Sequence, residues 1–140
     1  HVPTQIPITF DYWHHTFNTG DLSEREAFFL ARETWDIHNV TQCTHYSESR
    51  RREAQILIER MFAHHNIAME DLPKWPTFHK QYKEFTKIRE QAHADFITTL
   101  PNTYGVDSLD IMVEAKAKEQ SLLQLNVTCC QTQNTALILD

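Results

Sequence analysis

The chain has 140 residues, about one domain's worth. A hydrophobic content of 41% supports a core, and no run of about 18 apolar residues is present, so no membrane span is expected. The net charge of −6 excludes a general nucleic-acid sponge but not a nucleic-acid enzyme, because carboxylates that hold metal ions no longer repel a polyanion once loaded.

In chain order the first element is "IPITF" (6–10), apolar and β-branched, read as a buried strand. It stops at "DYWHH", so Asp11, His14 and His15 stand at a strand end. "DLSEREAFFLARETW" reads as a helix: Ser23 and Glu26 have capping-box spacing, and Leu22 can staple onto Ala27. "VTQCTHY" (40–46) reads as the second strand. The helix "SRRREAQILIERMFAHH" follows, with Ala54, Leu57, Ile58, Met61 and Phe62 spaced to form one buried face. "MEDLPKWP" (69–76) is a proline-marked break. "TFHKQYKEFTKIREQAH" reads as another helix, with Phe78, Tyr82, Phe85, Ile88 and Ala92 on one side. "LDIMVEA" (109–115) is a strand and "KAKEQSLLQL" a helix; the tail 126–140 has strand-like composition but no assigned place. Strands alternating with helices predict an α/β fold with parallel strands.

Two glycines, Gly20 and Gly105, cannot build a phosphate-binding loop or a dinucleotide fingerprint. Three cysteines, two adjacent (Cys129, Cys130), make no disulfide framework, which points to a reducing, intracellular setting: cytoplasm, nucleoid or nucleus. The "NVT" triplets at 39–41 and 126–128 then match the glycosylation pattern by chance. The start, "HVPTQIP", has no initiator methionine and no signal-peptide pattern, so a piece of a longer protein is expected.

Nine histidines call for an explanation. In parallel α/β folds the chemistry collects at the carboxyl ends of strands. Asp11 ends the first strand with His14 three residues on, His45 ends the second, Glu114 ends the last, and His93 lies in the connection before it. One histidine at a strand end is more often a hydrogen-bonded structural residue. Repetition at several strand ends favours metal ligation. Mixed nitrogen and oxygen donors suit manganese, zinc or iron better than calcium or magnesium. His15 reads as an outer or surface group, His64 and His65 as helix-end imidazoles, and His38 and His79 as structural or solvated. Arg50, Arg51 and Arg52 fit either a solvated helix start or contacts to phosphates.

The ordered motifs "ITFDYWHH", "THYSE", "AHADF" and "DIMVEAKAKE" resemble the UV-damage endonuclease family, in its carboxyl-terminal half, over residues 6–125. The resemblance implies a partial (β/α)₈ TIM-type barrel related to endonuclease IV. It implies cleavage of damaged double-stranded DNA on the 5′ side of ultraviolet photoproducts and other lesions. The implied cofactor is a cluster of divalent metals, manganese first, zinc or magnesium as alternatives. By the same resemblance Asp11, His14, His45, His93 and Glu114 hold metal, with Glu114 and His45 catalytic. Tyr46, Ser47, Arg50, Arg51, Arg52 and Lys116 meet DNA, although Lys116 is equally well a helix-start charge. Where the family has a lysine two residues before the "HYS" histidine, this chain has Cys43. The stretch from about 48 to 90 reads as a helical insertion, and the amino-terminal half of the barrel is expected to come from elsewhere. The rival readings are a sugar isomerase or epimerase of the same barrel type, and a truncated remnant that binds metal or DNA without cutting.

Overall fold

A rung of Phe10, Thr44 and Ile111 runs across three neighbouring strands, and all three side chains are buried. In the next rung, Asp11 pairs with His45, and His45 with Met112; these are only half-buried. Strand side chains alternate between faces, so one sheet face is the core and the other carries the polar groups. The computed structural model describes residues 6–129 and 136–139; "HVPTQ" and, within the expected tail, residues 130–135 and Asp140 lie outside the described residues.

The protein is mixed α/β. Four parallel strands, β1 (Phe10–Asp11), β2 (Cys43–Tyr46), β3 (Asp110–Val113) and β4 (Ala136–Leu139), form one sheet in the order β1-β2-β3-β4. Helix α1 (Tyr12–His15) continues directly from β1, and α2 (Glu24–Asp36) precedes β2. Helix α3 (Arg50–His65), a 3₁₀ turn (Met69–Lys74) and α4 (Pro76–Thr86) follow β2, and α5 (Glu119–Cys129) separates β3 from β4. Phe28 and Ala31 of α2 and Leu125 of α5 join Phe10, Tyr12, Ile111 and Val113 in one core cluster. Aromatic edges fill it: the Phe10 ring meets Tyr12 at 4.9 Å and Phe28 at 5.9 Å, both edge-on. No described helix is long and apolar enough to cross a membrane.

Several boundaries differ from the sequence expectation, each for a visible reason. The strand expected over 6–10 pairs only at Phe10–Asp11. The Ile8 N–H donates to Thr34 Oγ1 at 2.8 Å and its carbonyl accepts from Trp35 Nε1 at 2.7 Å, so α2 side chains take bonds a ladder would use. The strand expected over 40–46 begins at Cys43, with Val40 and Thr41 exposed. The helix expected at 116 starts at Glu119, after Lys118 adopts a left-handed φ of 47°. The helix expected to reach His93 stops at Thr86, and Leu57, placed on the buried face of α3, is 61% exposed. Within the tail, residues 126–129 finish α5 and 136–139 form β4. The capping box at the start of α2 is present: Glu26 N–H donates to Ser23 Oγ, and Ser23 N–H donates back to Glu26 Oε2 at 2.8 Å.

The chain divides into two compact units, residues 49–94 and the rest. In the 49–94 unit, Asn66 ends α3 in the left-handed conformation (φ 51°), reversing the chain. Tyr82 of α4 stacks on Phe62 of α3 with centroids 6.2 Å apart, and Phe78 lies 4.9 Å from the His65 ring. Ile67, Leu72 and Ala94 are its buried apolar residues, while α3 and α4 themselves contain none.

Candidate metal centre

Asp11 is both the last residue of β1 and the N-cap of α1. Its Oδ1 accepts from the His14 backbone N–H at 2.8 Å, which fixes the carboxylate at the strand end. His45 sits opposite it in the neighbouring strand. Glu114 lies two residues beyond Met112, the partner of His45, and so returns to the same face. Two bonds hold the Glu114 backbone: its N–H donates to Tyr46 O at 2.9 Å, and Ser47 Oγ donates to its carbonyl at 2.7 Å.

Three strand ends thus bring three side chains together. His45 Nδ1 lies 3.4 Å from Glu114 Oε1 and 3.9 Å from Asp11 Oδ2. One donor atom from each of Asp11, His45 and Glu114 falls within 4.8 Å of the others. Their side chains are 23–27% exposed, which shields the donors without sealing them from a ligand. An isolated pair of carboxylates at this range would repel; a shared cation removes that cost. The donor set, one imidazole and two carboxylates, fits a divalent ion of intermediate hardness.

His14 is not one of the three. Its Nδ1 is 2.6 Å from Asp11 Oδ2, and this bond raises its pKa above the ordinary histidine value, with the Asp11 charge adding to the effect. An imidazole bonded to a ligating carboxylate orients that carboxylate. His15 turns toward the core edge, with its ring 5.4 Å from Phe10. His93 belongs to the 49–94 unit, where it bridges Ser49. Ser47 is buried with its hydroxyl on Glu114, and the Tyr46 hydroxyl shares a 3.0 Å hydrogen bond with Thr99. Both therefore support the site from within. Arg51 lies over the Phe85 ring at 5.7 Å and 3.9 Å from Glu90, Arg52 and Lys116 are exposed, and the Arg50 N–H donates to Ala92 O at 3.0 Å.

Two further residues shape this face. Cys43 precedes His45 by two and shares its side of the sheet; burial, then the neighbouring Asp110, pushes its thiol pKa up and keeps it protonated. Glu48 is a residue that sequence reasoning missed. Its carboxylate accepts from the Thr98 and Thr99 backbone N–H groups at 2.9 and 2.8 Å and from both hydroxyls at 2.9 Å, pinning the loop that follows Ile97. The signal available was a lone acid beyond a strand end, too common to single out.

Comparison with known proteins bears on the same residues. The family model described as UV-endonuclease UvdE matches residues 3–137. The chain belongs to that family. A UV-damage endonuclease from Schizosaccharomyces pombe is 26% identical over 125 residues, which cover 86% of this chain and 16% of that protein. This chain therefore spans only a small part of the curated relative's length. No solved structure matches it. All five expected metal ligands of the UvdE resemblance lie within the matched span, and the structure gathers Asp11, His45 and Glu114, with His14 attached to Asp11.

Proposed function

We propose that this chain is part of a metal-dependent DNA repair endonuclease, which hydrolyses a phosphodiester on the 5′ side of ultraviolet photoproducts and other lesions in double-stranded DNA. The observation that carries the reading is the convergence of Asp11, His45 and Glu114 from three adjacent strand ends in a member of the UvdE family. A divalent cation held there supplies positive charge that activates water and offsets the negative charge growing on the phosphoryl oxygens. Manganese is the ion of choice, with zinc or magnesium as alternatives.

In this reading Asp11, His45 and Glu114 hold the ion, with Glu114 and His45 nearest the reaction. His14 orients Asp11, and His93 is assigned a ligand role on the family resemblance. Ser47 and Tyr46 fix the backbone of Glu114. Arg50, Arg51, Arg52 and Lys116 meet phosphates.

The fold we propose is part of a (β/α)₈ barrel, with residues 49–94 as a helical insertion. Parallel barrels pack helices on one sheet face, direct the other face inward, and place the site at carboxyl strand ends. The buried face under α2 and α5 and the half-buried polar face carrying Asp11, His45 and Glu114 support that reading. So does a cleft of about 620 Å³ beside β1, walled by Phe10, Leu22, Ala27, Leu30 and Ile37, with Leu30 44% and Ile37 62% exposed. Further segments of the same barrel are the proposed cover for it, in an intracellular compartment that holds DNA.

The test is nicking of ultraviolet-irradiated plasmid with manganese present. Cutting that depends on the lesion is expected from the 140-residue chain joined to the rest of its barrel, and not from the chain alone. Asp11→Ala, His45→Ala and Glu114→Gln should each abolish it. Persistent cutting by all three variants overturns the reading.

A further inference from the structure

The 49–94 unit and the rest of the chain carry opposite charge. Residues 49–94 hold nine Lys and Arg against six Asp and Glu, a net of +3; the remaining residues hold four against thirteen, a net of −9. The overall charge of −6 hides this division.

Helix α4 shows how the positive unit displays its charge. At about 100° per residue, Lys80, Lys83 and Lys87 fall within an arc of about 60°. Phe78, Tyr82 and Phe85 lie on the opposite side, half-buried against the aromatic partners Phe62, His65 and Trp75. The aromatic side thus decides which side faces solvent, and all three lysines are exposed. They span about 10 Å along the helix, close to the rise of three base pairs of duplex DNA. One acid shares the face: Glu84, 2.8 Å from Lys87 Nζ. An exposed pair of this kind is worth little and yields readily to a denser anion. Arg51 of α3, by contrast, already lies over Phe85 and beside Glu90.

We propose that the lysine face of α4 docks on the phosphate backbone of duplex DNA, so that the helical unit serves as a sequence-independent DNA grip for the acidic remainder of the chain. The inference rests on the reading that the chain acts on DNA. An acidic body is repelled by duplex DNA, and a positive module in the same chain offsets that repulsion. Contacts to phosphate position a protein without reading sequence, which suits an enzyme that must find lesions in any context.

The experiment measures binding of the whole 140-residue chain to a labelled undamaged duplex by fluorescence anisotropy, from about 50 to 200 mM KCl. The variant Lys80→Gln/Lys83→Gln/Lys87→Gln should lower the log–log salt slope by about 0.9 for each phosphate it no longer neutralises, up to about 2.7 in all. Arg25→Gln, in the acidic unit, should leave the slope unchanged. If the triple variant loses its folded circular-dichroism spectrum, Lys80→Gln and Lys83→Gln are measured singly, each with an expected drop of about 0.9. A folded variant with an unchanged slope overturns the proposal. So does lysine-dependent binding to phosphatidylserine vesicles without binding to the duplex. The functional reading is tested apart: a lysine-dependent slope, when the chain joined to the rest of its barrel never nicks irradiated plasmid, keeps the DNA grip and removes the nuclease. Lesion-dependent nicking with a lysine-independent slope does the reverse.

Discussion

The two units solve the problem of burying a helix in different ways. The sheet-containing unit packs Phe28 of α2 fully, 0% exposed, against aromatic rings from β1 and α1. The 49–94 unit has no fully buried residue in either long helix and relies on half-buried and exposed rings stacked at 5.9–6.2 Å. Dense packing goes where side chains must converge on one point. Donor atoms within 4.8 Å of one another demand strand ends held by a ladder and a dense core. A phosphate-facing surface tolerates looser packing, because long lysines adapt to their target.

The largest effect expected from this contrast is on stability. Phe28→Ala should cost about 3–5 kcal/mol, as for a fully buried phenylalanine. Leu57→Ala, at a 61% exposed site on α3, should stay within about 0.5 kcal/mol. Urea denaturation of both variants measures this, and equal shifts in midpoint would dissolve the distinction between the units.

Metal binding separates the histidines of the first unit. His45→Ala should weaken manganese affinity by more than about 100-fold, and His14→Ala by about 10–100-fold as an outer partner that orients Asp11. His15→Ala should change little, since its ring lies beside Phe10. Isothermal titration reads all three. Similar losses at His45 and His15 would mean that the wrong histidines define the centre.

A local helix device comes next in size. Ser23→Ala removes one half of the capping box on α2 and should cost about 1 kcal/mol in thermal or chemical unfolding. No loss would show that packing of Phe28 alone sets the start of that helix.

The smallest effects are in pH dependence. Burial, with a hydrogen bond to Glu24, pushes the Tyr104 pKa from 10.0 up to about 12. The neutral tyrosine is the form the fold favours. Its contribution is therefore complete below pH 10 and is lost as the pH rises through about 12. Tyr104→Phe should flatten the alkaline limb of the stability profile. His14 follows the same sign lower on the scale: raised above its ordinary 6.5 by Asp11, it favours the fold below that value, and the gain fades as pH rises past it. Asp11→Asn should erase that feature, as followed by proton resonance of the His14 ring.

The alternation of strands and helices, the capping box at Ser23 and Glu26, and the strand ends that carry Asp11, His45 and Glu114 are written in local residue order. These are legible because they follow from local chemistry: β-branched runs, a cap residue three positions from its partner, and an apolar stretch that stops at a polar group. The remaining features came from long-range packing. Whether residues 6–9 joined the ladder depended on Thr34 and Trp35 of α2 taking the Ile8 backbone bonds. The burial of Ser47 came with the Glu114 carbonyl, 67 residues away, which accepts from its hydroxyl. The outward face of Lys80, Lys83 and Lys87 followed from which side of α4 its aromatic rings packed. Each outcome is a competition between partners distant in the chain, and periodicity in one segment cannot say which partner arrives.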